Sequence, residues 1–284
     1  MMSRKQLAKP SGLLTYLFLI VFGFILVYPL LWLVSSSVKV SNSEIFGTAS
    51  LIPQSFSLDS YREGWLGSGQ YGFDVFFRNT FQLVIPTVLF TIVSSVIVSY
   101  GFARFTFPLK KLLFGLMIST LMLPNAVKII PSYLLFKNFG WLNTYLPFIV
   151  PAAFATYPFF IFMLVQFFRG IPRELDESAT IDGCNSFQTL ILILLPLCKA
   201  AIFSVGLFQF MWRWNDFFNS LIYINSVSKY TLALGLRMTI DISAAVSWNQ
   251  IIAMSVITML PPMLLFFLAQ NYFVEGIATT GLKG

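Results

Sequence analysis

The chain has 284 residues, of which 57% are hydrophobic and 10% charged, with a mean hydropathy of +0.80 and a net charge of +7. Soluble domains carry about 25% charged residues, so a soluble globular fold is excluded. The chain contains no histidine, the commonest general base and proton shuttle, and catalysis within it is not expected.

The apolar excess falls in six blocks, at 13–34, 81–102, 112–127, 145–168, 198–212 and 248–273. Each approaches the ~20 residues needed to cross ~30 Å of hydrocarbon. An all-α integral membrane protein with six transmembrane helices is expected. The first block follows Arg4, Lys5 and Lys9. It is too long for the apolar core of a cleaved signal and has no small-residue cleavage site directly after it, so it reads as a retained anchor.

Between the blocks the chain changes character. Residues 37–78, with Pro53 and the Gly67-Ser68-Gly69 turn, read as a folded loop of little regular structure. A tight turn at 103–111 carries Arg104, Lys110 and Lys111. Residues 128–144 include Pro131, Lys137 and Trp141, which suits an interfacial helix. Residues 213–247 form a second external segment rich in Ser, Asn and Trp. Pro29, Pro86, Pro124, Pro158 and the pair Pro261-Pro262 are expected to kink or break their helices. The division that follows is 1–78 (tail, first span and external loop), 79–273 (membrane core) and 274–284 (tail).

Six spans put both termini on one side. The segments 1–11, 103–111, 169–199 and 274–284 carry ten Lys/Arg in 62 residues, against eight in 94 for the opposite segments. Positive charge favours the cytoplasmic side, so both termini are expected in the cytoplasm. Cys184 and Cys198 then lie at or near a reducing compartment, where a disulfide is disfavoured. Two thiols without a histidine make a poor metal site.

No span carries an ionisable side chain at its centre; Lys128, Arg213 and Asp216 lie at outer ends. Gradient-driven transporters place such groups inside their spans, which disfavours a secondary transporter. The chain also has no Gly-x-x-x-x-Gly-Lys-Ser/Thr phosphate loop. If it pumps, its energy arrives from a partner.

The segment 174–196 holds four of the eleven acidic residues. Pro172 suits the first turn of a helix, and Glu174, Asp176 and Glu177 complement its dipole. Leu175 and Ala179 share one face. Gly183 can end the helix in the left-handed conformation, and Asn185 or Ser186 can cap a second helix running over 187–195 to Pro196. The segment is expected as helix, tight turn and helix, offering carboxylates and small residues to a partner able to present an arginine.

These residues resemble the "EAA" loop of ABC-transporter permeases: Glu177-Ser178-Ala179, three residues, Gly183, nine residues, then Ile193-Leu194-Leu195-Pro196. Ser178 replaces the family's first alanine. Asn79-Thr80 resembles the family's Asn-Ser/Thr pair before the second span. Pro131-Ser-Tyr-Leu-Leu and Trp214-Asn215-Asp216-Phe217 are similar to two further motifs. The ending Gln270-Asn-Tyr-Phe-Val274, Gly276 and Gly281-Leu-Lys-Gly284 is similar to the carbohydrate-importer subgroup of the maltose-permease type, with mild departures at Asn271 and Leu282.

The resemblance implies a type I importer permease, paired with a second permease, two ATPase subunits and an extracytoplasmic solute-binding protein. It implies that 172–196 is the coupling segment, with Glu177, Ser178, Ala179, Asp182, Gly183, Ile193, Leu195 and Pro196 at the ATPase. ATP and Mg would be bound by the ATPase subunits, and no cofactor by this chain. The expected cargo is a sugar or oligosaccharide. Trp214, Asn215 and Asp216 are candidates for substrate contact or gating, although the same residues also serve as an interfacial belt and helix cap, the reading that the enrichment of Trp and Tyr at membrane interfaces favours. A glycerol-phosphate ester is the alternative cargo; it would want clustered arginine, for which Arg213 and Arg237 are the candidates.

Overall fold

A computed structural model describes residues 10–47, 50–67, 70–242 and 247–281. Arg4, Lys5, Lys9, Ser68, Gly69 and residues 282–284 lie outside the described residues, as do the side chains of 271–281. The described residues are helical, without strands: α1 (Pro10–Ser36), α2 (Asn42–Gly47), α3 (Asp59–Leu66), α4 (Phe73–Arg104), α5 (Lys110–Leu121), α6 (Asn125–Asn138), α7 (Leu146–Ala153) and α8 (Pro158–Gly170). There follow α9 (Glu174–Ile181), α10 (Ser186–Gln188), a π-helical stretch (Thr189–Leu194), α11 (Leu195–Leu197), α12 (Lys199–Trp214), α13 (Phe217–Tyr223), α14 (Leu232–Ile242) and α15 (Trp248–Gly281). Four helices are long and apolar enough to cross a membrane, or up to six if each of two bent pairs counts as one span.

Proline explains much of where the elements differ from hydropathy. Pro29, Pro86, Pro261 and Pro262 lie inside long helices. The expected third span is not one helix: α5 and α6 meet at 104° across a break that ends at Pro124. A residue before proline is pushed out of the helical region, so the chain turns there. The interfacial helix expected within 128–144 is the body of α6. Pro158 does not kink a helix but starts one, at the first position of α8, where its missing N–H breaks no bond. At the fifth block, the helical run Ser186–Leu197 and α12 meet at 81°.

Two compact units divide the chain. In the unit formed by 1–73 and 236–259, α1 is exposed along its apolar length. The loop after it is more ordered than expected, containing α2 and α3. Its polar groups are satisfied internally. The Lys39 ammonium, fully buried, donates to the Ser50 carbonyl at 2.9 Å. The Glu44 carboxylate accepts from the Gln54 amide at 2.6 Å and the Ser55 hydroxyl at 2.9 Å. These donors, Gln54 first, hold the Glu44 carboxyl below the usual range. The Asn42 side chain accepts from the Trp248 amide at 3.1 Å, fastening the start of α15.

In the unit formed by 74–235 and 260–284, the core is built from α4, α8, the π-helical stretch and α12, with Phe160, Leu164, Phe168, Leu194 and Val205 fully buried. Lipid tails are as apolar as leucine, so helices in a bilayer associate through close packing and interhelical hydrogen bonds. α4 buries a stripe of small hydroxyls, Thr87, Thr91, Ser95 and Ser99, spaced one turn apart. Thr87 and Thr91 bond back to carbonyls of their own helix, and the Ser94 hydroxyl crosses to the Ala152 carbonyl of α7 at 2.7 Å. α4 begins at Phe73, well before the apolar block at 81, because hydropathy marks where hydrocarbon starts and not where the helix does.

Candidate functional site

The acidic segment folds as a hairpin of two helical limbs. α9 opens at Glu174, two residues after Pro172, so Pro172 precedes the first turn instead of lying in it. Glu174, Asp176 and Glu177 all stand in that first turn, where the helix dipole favours negative charge. The C-terminal end is a Schellman motif: the Cys184 amide donates to the Ala179 carbonyl at 2.9 Å and the Gly183 amide to the Thr180 carbonyl at 3.1 Å. Gly183 takes the left-handed conformation with φ +83°, which L side chains adopt only at a cost. Asn185 then caps the second limb through a capping box: its side chain accepts from the Gln188 amide at 2.9 Å, and the Gln188 side chain accepts from the Asn185 amide at 2.8 Å.

The second limb does not stop at Pro196. It passes through the π-helical stretch and ends at Leu197, with Pro196 in the first turn of α11, where a missing N–H is tolerated.

The hairpin sorts the predicted coupling residues by exposure. Glu177, Ser178, Asp182, Gly183 and Pro196 are exposed, Ile193 and Leu195 half-buried, and Ala179 buried beneath α9. At the elbow Ile181 is 86% exposed. It lies between the exposed carboxylates of Glu177 and Asp182, which can accept from a basic group.

Three groups that hold the hairpin are not among the residues that sequence analysis selected. Arg104, at the end of α4, lies with its Nε 3.1 Å from Oδ2 of Asp176, without the alignment of a hydrogen bond. Its Nη2 donates to the Ile171 carbonyl at 3.1 Å. The Tyr100 hydroxyl donates to the Ser186 carbonyl at 3.0 Å. One signal was present: Asp176 and Ala179 are three apart on α9, so the acid shares the inward face with the buried alanine.

The second group of candidates sits at the other end of α12, roughly 22 Å from Lys199 at 1.5 Å per residue. Trp214 is buried and packs edge-on against Phe77 and Phe81. Asn215 is exposed, and its amide donates to the Met211 carbonyl at 2.8 Å. Asp216 is the N-cap of α13: its Oδ1 accepts from the Asn219 amide at 3.1 Å, and its Oδ2 pairs with Arg213. The Arg213 guanidinium also lies over the rings of Phe148 and Tyr157, at 5.7 and 5.5 Å. Asn79 and Thr80 form a cradle for 228–232 beside this corner. The Asn79 side chain donates to the carbonyls of Ser228 and Tyr230, and the Thr80 hydroxyl accepts from the Leu232 amide at 2.8 Å.

Among the described residues no group of His, Cys, Asp or Glu could hold a metal ion. Cys184 and Cys198 are both free thiols.

Residues 92–279 match the family described as "Binding-protein-dependent transport system inner membrane component". The chain is 32% identical over 269 residues to the probable ABC transporter permease protein YurM of Bacillus subtilis, covering 95% of this chain and 88% of that one. It is 31% identical to the arabinooligosaccharides transport system permease protein AraQ of Halalkalibacterium halodurans, covering 97% and 99% of the two chains. It is 30% identical to the sn-glycerol-3-phosphate transport system permease protein UgpE of Brucella suis, covering 95% and 97%. Among solved structures, a chain of a bacterial ABC transporter involved in the import of the acidic polysaccharide alginate shares the fold with a TM-score of 0.80 at 20% identity, over 96% of this chain and 99% of that one.

Proposed function

Since this chain belongs to the binding-protein-dependent transport system inner membrane component family and is a multi-pass ABC importer permease subunit, we propose that it carries a neutral sugar or oligosaccharide inward by alternating access, powered by a separate ATPase seated on the 172–196 coupling segment. The observation that carries the docking is the hairpin itself, closed by its Schellman turn and presenting Ile181 between Glu177 and Asp182. Glu177 pairs with a basic group of the ATPase, Ile181 enters an apolar recess, and Gly183 leaves the elbow clear. The hairpin side, with both termini, faces the cytoplasm. The corner at Trp214–Asp216 faces outward, towards a solute-binding protein. ATP and Mg are held by the ATPase subunits, and a second permease completes the pathway.

A neutral cargo is supported by Arg213. Its charge is matched by Asp216 and its faces are covered by Phe148 and Tyr157, which leaves it poorly placed to meet a phosphate. Of the Trp214–Asp216 group, the exposed Asn215 is the member able to meet sugar, while Trp214 and Asp216 shape the corner. The relative named as an sn-glycerol-3-phosphate permease favours the second reading, a glycerol-phosphate ester. Uptake by the reconstituted importer separates the two. Neutral oligosaccharides should be accumulated with ATP and sn-glycerol 3-phosphate should not compete; the reverse pattern would reverse the cargo assignment.

A further inference from the structure

We infer that Arg104, together with Tyr100 one turn before it, is the strut that carries movement of the docking hairpin into the second membrane span. The inference rests on the coupling reading above and names the residues through which that coupling passes.

Tyr100 and Arg104 are four residues apart at the end of α4, so both side chains leave the same face of the helix. Between them they grip both limbs of the hairpin. Arg104 holds the approach to α9 through the Ile171 carbonyl and α9 itself through Asp176. Tyr100 holds the start of the second limb through the Ser186 carbonyl. A cavity of about 400 Å³ is bordered by Tyr100, Arg104, Asp176, Glu177, Thr180 and Ser186. Where that space opens, the polar contacts join α4 to α9.

The Arg104 side chain is only 7% exposed. A guanidinium with so little exposure is costly to leave unpaired, so removing Asp176 strands it. Its planar fork reaches two acceptors at once, which a lysine ammonium on a flexible stem does not reproduce. Glu177, the next residue along, is exposed. Of these adjacent carboxylates, Asp176 meets Arg104, and Glu177, which borders the same cavity, is the more exposed.

α4 runs unbroken through Pro86. It is a single helix of 32 residues, and Asn79 lies roughly 38 Å along it from Arg104. At that far end Asn79 and Thr80 hold the 228–232 loop, and Phe77 and Phe81 pack on Trp214. Hairpin displacement through Arg104 is thus delivered to the corner that carries the second group of candidates.

The test uses the whole importer with its ATPase subunits, and a readout independent of cargo. Asn225, exposed three residues before the strapped 228–232 loop, is replaced by cysteine with Cys184→Ser and Cys198→Ala. Its labelling rate by a water-soluble maleimide is compared with and without ATP plus vanadate. Arg104→Ala and Asp176→Asn should each reduce the ATP-dependent change in rate about tenfold, while ATPase subunits co-purify as in the parent. The double variant should be no worse than either single one, and the exchange Arg104→Asp with Asp176→Arg should restore part of the response. Tyr100→Phe, which loses only the hydroxyl, should give a smaller loss. A parent whose labelling ignores ATP and vanadate, single variants with an intact response, additive losses, or loss of bound ATPase from the Arg104 and Asp176 variants would each overturn the strut. Failure of the docking reading is seen elsewhere, as normal ATPase co-purification with Glu177→Lys.

Discussion

The amide of Cys184 reaches back 2.9 Å to the carbonyl of Ala179 and closes α9 on itself. That bond turns an acidic stretch of chain into an elbow of fixed shape, and it depends on the left-handed Gly183 between them. A Cβ built at Gly183 would meet nothing within 4 Å in this chain. Gly183→Ala and Gly183→Leu therefore pay the same backbone cost, about 1–2 kcal/mol. Any further loss with leucine reports a surface pressed against the elbow. ATPase co-purification and uptake should fall severalfold more for Gly183→Leu than for Gly183→Ala, with both inserting normally. Gly183→Asn, which tolerates the left-handed region, should keep the hairpin. Equal effects of alanine and leucine would argue against a close partner there.

The Arg213–Asp216 pair at the opposite end of α12 is largely buried, and Asp216 also caps α13. Asp216→Ala should destabilise the protein by about 3 kcal/mol, because it leaves a buried guanidinium unpaired. Asp216→Asn with Arg213→Met retains an acceptor for the Asn219 amide without the stranded charge, and should recover more than half of the loss. Thermal unfolding of the purified subunit checks both. Full stability of Asp216→Ala with abolished uptake would point instead to direct contact with cargo.

Gly235 of α14 faces the ring of Phe76, whose Cδ2 would lie 2.3 Å from an added Cβ. Gly235→Ala must push that ring aside and should cost about 1–3 kcal/mol. Adding Phe76→Leu should return part of it, measured again by thermal unfolding.

Glu44 gives the external loop a pH dependence of known sign. Its carboxyl is held below the reference value of 4.5 by the Gln54 and Ser55 donors, with Lys39 adding to the effect. A carboxyl depressed on folding stabilises the loop fully above its unfolded value, and that contribution is lost as pH falls through the folded one. Protection from hydrogen exchange at the Gln54 and Ser55 amides should hold down to about pH 4.5 and fall below it. Glu44→Gln should exchange faster at neutral pH and show no such step.

Much of this was legible in the chain. Gly183 and Asn185 announce the elbow and the second cap because both are local chemistry, settled within a few residues. The number of apolar blocks matches the number of possible spans, because hydrocarbon thickness sets their length. What hydropathy does not carry is direction. The sharp bends at Pro124 and at Cys198 lie inside or beside apolar blocks, where composition is the same on both sides of the break. The clamp on the hairpin was hidden for a different reason. Arg104 and Asp176 are distant in the chain, and each has an ordinary local explanation, one as a topology charge and the other as a dipole partner. Only the packing of α4 against the hairpin brings them together. Residues 282–284, which contribute to the family-like ending, lie outside the described structure.

The central claim, that energy enters through the elbow, is tested most directly at Ile181, the most open large apolar side chain on the hairpin. Ile181→p-benzoylphenylalanine in the assembled importer, irradiated during ATP turnover, should give a covalent adduct with the ATPase subunit. The same group at Leu109, 67% exposed in the turn after α4, should give less. An importer that still takes up cargo with ATP, yet yields no ATPase adduct from position 181, would contradict the account.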